Sequence, residues 1–136
     1  MAQLKNAFVI KRIYEEATND DGCRVLVDRL WPRGVSKDRA HLDLWLKEIA
    51  PSPPLRTEFA HMAERFEDFR EHYTAELEHN PAVDQLLDLA NEQKRVTLLY
   101  GAKDPHINHA KVLLEFLQKN AQGRTANGNV HRKAAP

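Results

Sequence analysis

The chain has 136 residues, of which 42% are hydrophobic and 29% charged, with 20 basic against 20 acidic side chains. That length suits one globular domain, able to bury a core without disulfides or metals. The even charge disfavours a dedicated nucleic-acid binder, which is usually markedly basic, and no run approaches the ~18 apolar residues of a membrane span.

The charge is unevenly spread. Arg124, Arg132 and Lys133 lie in a tail with no acid, so residues 1–123 keep 17 basic against 20 acidic groups. Arginine clusters within that mildly acidic body stand out for this reason. Cys23 is the one cysteine, which excludes an intramolecular disulfide and fits a reducing compartment. The opening MAQLKNAFVIKR lacks the apolar core of a signal peptide, so the expected location is cytoplasmic.

From residue 7 to 17 the chain begins by alternating. Phe8, Ile10, Arg12 and Tyr14 face one way, and Val9, Lys11 and Ile13 the other, as in a strand. A turn cluster, Thr18-Asn19-Asp20-Asp21-Gly22, leads into a second apolar run over 23–30. The short link predicts an antiparallel hairpin. Ser36 is a good helix N-cap for a short piece over 36–40, with Asp38 in the first turn. Residues 41–50 carry two patterns. Leu42, Leu44 and Leu46 alternate as in an edge strand, whereas Leu42, Trp45, Leu46 and Ile49 would line one helical face.

Ser52 followed by Pro53 marks another helix start, expected to end near residue 60. Residues 62–78 show the clearest helical stripe: Met62, Phe66, Phe69, Tyr73 and Leu77. Asn80-Pro81 divides this helix from one over 81–93, whose apolar side is Val83, Leu86, Leu87 and Ala90. Residues 96–100, VTLLY, have almost no alternation and read as a central strand covered on both faces. Asp104-Pro105 then opens a last helix, buried through Ile107, Ala110, Leu114, Leu117 and Ala121 and closed by Gly123. The tail over 124–136 lacks periodicity and is expected to be disordered. Together these elements predict one α/β domain over residues 1–123: a small mixed sheet with helices packed on it, and strands 24–30 and 96–100 near its centre.

Chemistry is expected where those two strands end, because ligands of open α/β sheets sit outside the carboxyl ends of the strands. After the first come Asp28, Arg29, Trp31, Arg33 and Lys37. Arginine suits bidentate carboxylate or phosphate contacts, and Trp31 could stack on a ring. After the second come Gly101, Lys103 and Asp104, at a helix start that offers free N–H groups to an anion. Asn108 and His109 follow. Arg29, Trp31, Arg33, Lys37, Lys103 and Asn108 are the candidate ligand-binding residues, with Asp28, Asp104 and His109 as proton-handling candidates. The bland alternatives are an Asp28–Arg29 ion pair, a Trp31 that belongs to the core, and an ordinary strand-to-helix turn. Seven histidines include His106 and His109 at i, i+3, but neither H-x-x-x-H nor CxxC occurs, so no metal is assigned and no cofactor is identified.

The segments RVLVDRLWPRGVSK after Asp21-Gly22, LDLWLKEIAPS, LRTEF, ERFEDFREHYTAEL and VTLLYGAKD resemble the YeaO-like family, bacterial proteins within a domain-of-unknown-function group. The resemblance spans residues 8–117. It implies a single small α/β domain of cytoplasmic, bacterial origin and carries no established activity. Two departures from the family's pattern matter. Met62 and Ala63 stand where an acidic residue and proline tend to follow the His61 equivalent. Tyr100, Gly101 and Ala102 stand in the loop after the last strand, where the resemblance to more distant members implies a cysteine, which argues against thiol chemistry here. Two readings of function follow. One is a domain that binds or acts on a small anionic, phosphate-bearing ligand. The other is a non-catalytic protein-interaction or regulatory domain. No membrane partner is expected under either, and the oligomeric state is left open.

Overall fold

A run without a polar side can be buried on both faces only in the middle of a sheet. In the computed structural model, which describes residues 7–59, 62–104 and 106–127, VTLLY takes that place. Four strands, β1 (Phe8–Arg12), β2 (Cys23–Leu26), β3 (Leu44–Trp45) and β4 (Val96–Tyr100), lie in the order β1-β4-β2-β3. Every pairing is parallel: Ile10 lies opposite Leu98, Val25 opposite Leu98 on the other side, and Val25 opposite Leu44.

The expected hairpin between the first two strands is not formed, so no antiparallel pair mixes the sheet. The reason lies in where β1 stops. Its strand ends at Arg12, where the Glu15 amide turns back onto the Arg12 carbonyl. Residues 13–22 then make a link too long for a tight hairpin. At ~3.3 Å per residue it can run back along a five-residue strand and re-enter in the same direction. The gap it leaves is filled by β4. Gly22 makes the re-entry possible: its φ is 64°, and a Cβ there would lie 2.3 Å from the Arg95 carbonyl oxygen.

The sheet's two faces are unequal. Val25, Val27, Val96, Leu98 and Tyr100 point into the main core. That core is closed by α3 (Phe66–Glu78), α4 (Ala82–Glu92) and α5 (His109–Asn127), which present Phe69, Tyr73, Leu77, Leu86, Leu113 and Leu117. The stripe expected on residues 62–78 is buried at Phe69, Tyr73 and Leu77. The helix proper starts at Phe66, after a 3-10 turn over Met62–Arg65. On the opposite face Leu26 and Leu99 meet Ile13, Val35 and Ala40, with Trp31, Leu42 and Trp45 over them. This second layer is a loop bearing the short α1 (Lys37–Ala40), whose N-cap Ser36 accepts the Arg39 amide.

Residues 41–50 settle as a two-residue edge strand, β3, followed by a 3-10 turn over Lys47–Ile49. Ser52 caps α2 (Pro53–Glu58) as anticipated. Two boundaries differ from the sequence reading. The second strand stops at Leu26, although the Val27 amide still donates to the Leu99 carbonyl, so Asp28 and Arg29 leave the sheet. The last helix begins at His109, not at Asp104, and runs through Gly123 to Asn127. Its start is set by Asn108, whose side chain accepts the Lys111 amide at 2.8 Å. Pro105, His61 and residues 128–136 lie outside the described residues.

Candidate functional site

Asp28 follows the end of β2 and Gly101 follows the end of β4, in neighbouring strands. The Asp28 Oδ2 accepts the Gly101 N–H at 2.9 Å, and its backbone carbonyl accepts the Trp45 indole N–H at 2.8 Å. A Cβ on residue 101 would stand 3.0 Å from that carboxylate oxygen, so the glycine is what allows the approach. His109, first residue of α5, brings a third segment in. Its Nε2 lies 3.0 Å from the Val27 carbonyl and 3.3 Å from Asp28 Oδ1. Both neighbours are acceptors, so Nε2 carries a proton and donates to Val27. Asp28 Oδ1 is buried and accepts no well-aligned hydrogen bond. Its 3.3 Å approach to the imidazole is a close contact and not an aligned hydrogen bond. The two strand ends and the helix start are thereby fixed to one another.

Beside this junction opens a cavity of about 400 Å³. Its polar lining is Asp28, Arg29, Arg56 and His109; its apolar lining is Leu30, Ala50, Pro51, Phe59, Phe69 and Ala102. Arg29 is held in place by two backbone carbonyls: Nη2 donates to Ala50 at 3.1 Å and Nε to Pro51 at 3.3 Å. It does not pair with Asp28. Arg56, on α2, is exposed, and among the described residues no carboxylate pairs with its guanidinium. Beneath the lining Tyr73 stands edge-on to His109, with ring centroids 6.2 Å apart. The buried Tyr73 hydroxyl donates to the Ile49 carbonyl at 2.7 Å.

Of the residues singled out from the sequence, Asp28, Arg29 and His109 share this cavity, and the others are placed elsewhere. Trp31 donates its indole N–H to the Val35 carbonyl at 2.6 Å and packs edge-to-face on Trp45 at 5.2 Å, as part of the smaller core. Arg33 and Lys37 are exposed on the loop over that core. Lys103 is exposed beyond Gly101. Asp104 accepts the His106 and Ile107 amides, and these two hydrogen bonds hold its carboxyl below the usual range. Asn108 is buried as the cap of α5, donating to the Asp104 carbonyl. The last two are turn-building groups in this structure.

Two cations were missed from the sequence. Arg56 carried no local signal, since its direction depends on how a six-residue helix sits. Arg12 closes β1, and its Nε donates to the Ala102 carbonyl at 2.7 Å, holding the loop after β4 from the other side. Its place opposite Tyr100 in the sheet depends on a pairing that was not anticipated. Among the described residues no group of three or more His, Cys, Asp or Glu side chains is placed to hold a metal ion. No helix among them is long and apolar enough to cross a membrane.

The fold and cavity define a small parallel α/β domain with an arginine-bearing pocket at the carboxyl ends of its central strands. A family model described as the inactive DUF488-N3 subclade matches residues 7–135, and the chain belongs to that family. It is 48% identical over 109 residues to the uncharacterised protein YeaO of Escherichia coli strain K12, covering 79% of this chain and 94% of that one. Uncharacterised proteins of Mycobacterium bovis and Mycobacterium tuberculosis are 39% identical over 108 residues, covering 79% of this chain and 91% of theirs. These relatives are bacterial, and the resemblance to YeaO-like proteins is confirmed. No solved structure matches the chain.

Proposed function

We propose that this protein is a binding domain for a small anionic ligand, seated beyond the ends of β2 and β4 against Arg29 and Arg56. The observation that carries the reading is that two guanidinium groups line one cavity: Arg29 fixed by carbonyls, Arg56 without a carboxylate partner among the described residues. Arginines beside an apolar surface favour carboxylate or phosphate. The family's description as inactive supports binding over turnover. So does the use made of the best acid–base groups, with Asp28 held by Gly101 and His109 by Val27. Asp104 and Asn108 serve the loop, and Lys103, Arg33 and Lys37 act at most as a distant field. A cytoplasmic location belongs to the same proposal, supported by the free, buried Cys23.

An amide NMR titration of the intact protein with phosphate- and carboxylate-bearing small molecules tests it. Saturable shifts are expected at Arg29, Arg56, Gly101 and Ala102. Arg56→Gln, at an exposed position, should weaken affinity by about tenfold, the size of one charged hydrogen bond. If no anion produces saturable shifts at those residues, the proposal is wrong.

A further inference from the structure

The anion-binding reading above leaves the body of the ligand open, and this inference rests on it. We propose that the ligand carries a single oxyanion group, phosphate or carboxylate, on a flat apolar body, and that neither an inorganic anion nor a polyphosphate is the natural occupant.

Charge sets the first half. Counted over the arginines and the carboxylate alone, Arg29 and Arg56 against Asp28 leave the cavity lining one net positive charge. The further cations that a di- or triphosphate would need, Lys103, Arg33 and Lys37, are exposed and outside that lining. A group bearing three or four negative charges would enter the cavity largely uncompensated.

The apolar lining sets the second half. A cavity of about 400 Å³ is within the range that holds whole organic ligands of several hundred Å³, far more than one phosphate ion fills. Leu30 is 63% exposed, the most exposed large apolar residue among those described, yet it lines this cavity. An apolar ligand body lying against it would remove that surface from water. The rings of the lining are packed against neighbours. Phe59 stands edge-to-face on Phe69 at 5.9 Å, and the Arg65 guanidinium lies over the Phe59 ring at 4.4 Å. A lining that combines two arginines with aromatic and aliphatic surface matches a molecule that combines an anion with an apolar body.

Calorimetric titration of the intact protein with phenyl phosphate, inorganic phosphate, benzoate, acetate, phenol and adenosine triphosphate, at matched ionic strength, separates the outcomes. Phenyl phosphate or benzoate should bind at least tenfold tighter than its inorganic or short-chain counterpart, as burial of one ring face would give. Phenol should not bind measurably. Which aryl anion binds identifies the oxyanion. Leu30→Asn, a surface change that spares the fold, should remove most of the aryl advantage while leaving inorganic phosphate affinity unchanged. Equal affinity for aryl and simple anions, tighter binding of the triphosphate, or an aryl advantage indifferent to Leu30→Asn overturns this inference and leaves the anion site standing. Failure of every anion to bind overturns both.

Discussion

Asp28 and Gly101, 73 residues apart in the chain, are joined by a carboxylate-to-amide hydrogen bond of 2.9 Å. Gly101 has no Cβ to hold the acid away, and Asp28 has no other aligned donor for that oxygen. The bond fixes the ends of two adjacent parallel strands, and so the place at which the cavity opens.

Removing the acid should therefore be felt in stability. Asp28→Ala leaves the Gly101 amide unpaired in a half-buried position and should cost about 1–3 kcal/mol, read from urea unfolding. Asp28→Asn keeps an acceptor for that amide and should cost less. Equal stability of wild type and Asp28→Ala would show that the junction contributes nothing.

Gly22 stands at the re-entry into β2. Its φ of 64° and the 2.3 Å approach of a Cβ to the Arg95 oxygen leave no room for a side chain. Gly22→Ala should lose about 2 kcal/mol or more through backbone strain and displacement. The hydrogen bond from the Cys23 amide to Arg95 should weaken with it, seen as faster hydrogen exchange at Cys23.

Acid should act through Asp21. Burial opposes its charged form, but hydrogen bonds from the Thr18 amide, Lys11, Arg24 and the Thr18 hydroxyl prevail and hold the carboxyl at about 2. A folded value below the unfolded one contributes stability at higher pH, and that contribution is lost as pH falls from about 4 to about 2. It is on the order of 2 kcal/mol. The stability difference between wild type and Asp21→Asn should shrink across that window; a difference constant with pH would refute the assignment.

Alkali should act through Tyr73. Burial first, then the nearby Glu76, pushes its phenol well above the ordinary range. A raised folded value means that the contribution is whole below about pH 10 and is lost as pH rises further. In an absorbance titration Tyr73 should ionise only as the protein unfolds. Tyr73→Phe leaves the Ile49 carbonyl without its donor and should cost about 1 kcal/mol.

The class of fold was legible because burial leaves periodic marks. VTLLY, buried on both faces, showed no alternation; Phe69, Tyr73 and Leu77 recurred at helical spacing; Ser52-Pro53 and Ser36 announced their helices by the chemistry of their caps. Strand order left no such mark. Whether residues 96–100 stand between the first two strands or beside them depends on how far β1 extends. Its alternation continues through Ile13 and Tyr14, past the Arg12 turn that ends it. Likewise Asp104 and Asn108 are both good caps, and only the packing of Ala110 and Leu113 into the core selects the second. Of the polar side chains that line the cavity, Asp28, Arg29 and His109 were singled out from the sequence. Arg56 was not, because a surface arginine on a short helix looks the same whichever way it points.

The position of β4 also bears on how the chain is made. Its residues, 96–100, are synthesised long after β1 and β2, yet both pair with it and not with each other. Until they emerge from the ribosome, the earlier strands have no native neighbour on their inner edges. The sheet therefore closes late and in one step. Nascent chains cut before residue 96 should expose open backbone edges and be prone to aggregation, while chains extended through α5, which closes the main core, should fold cooperatively.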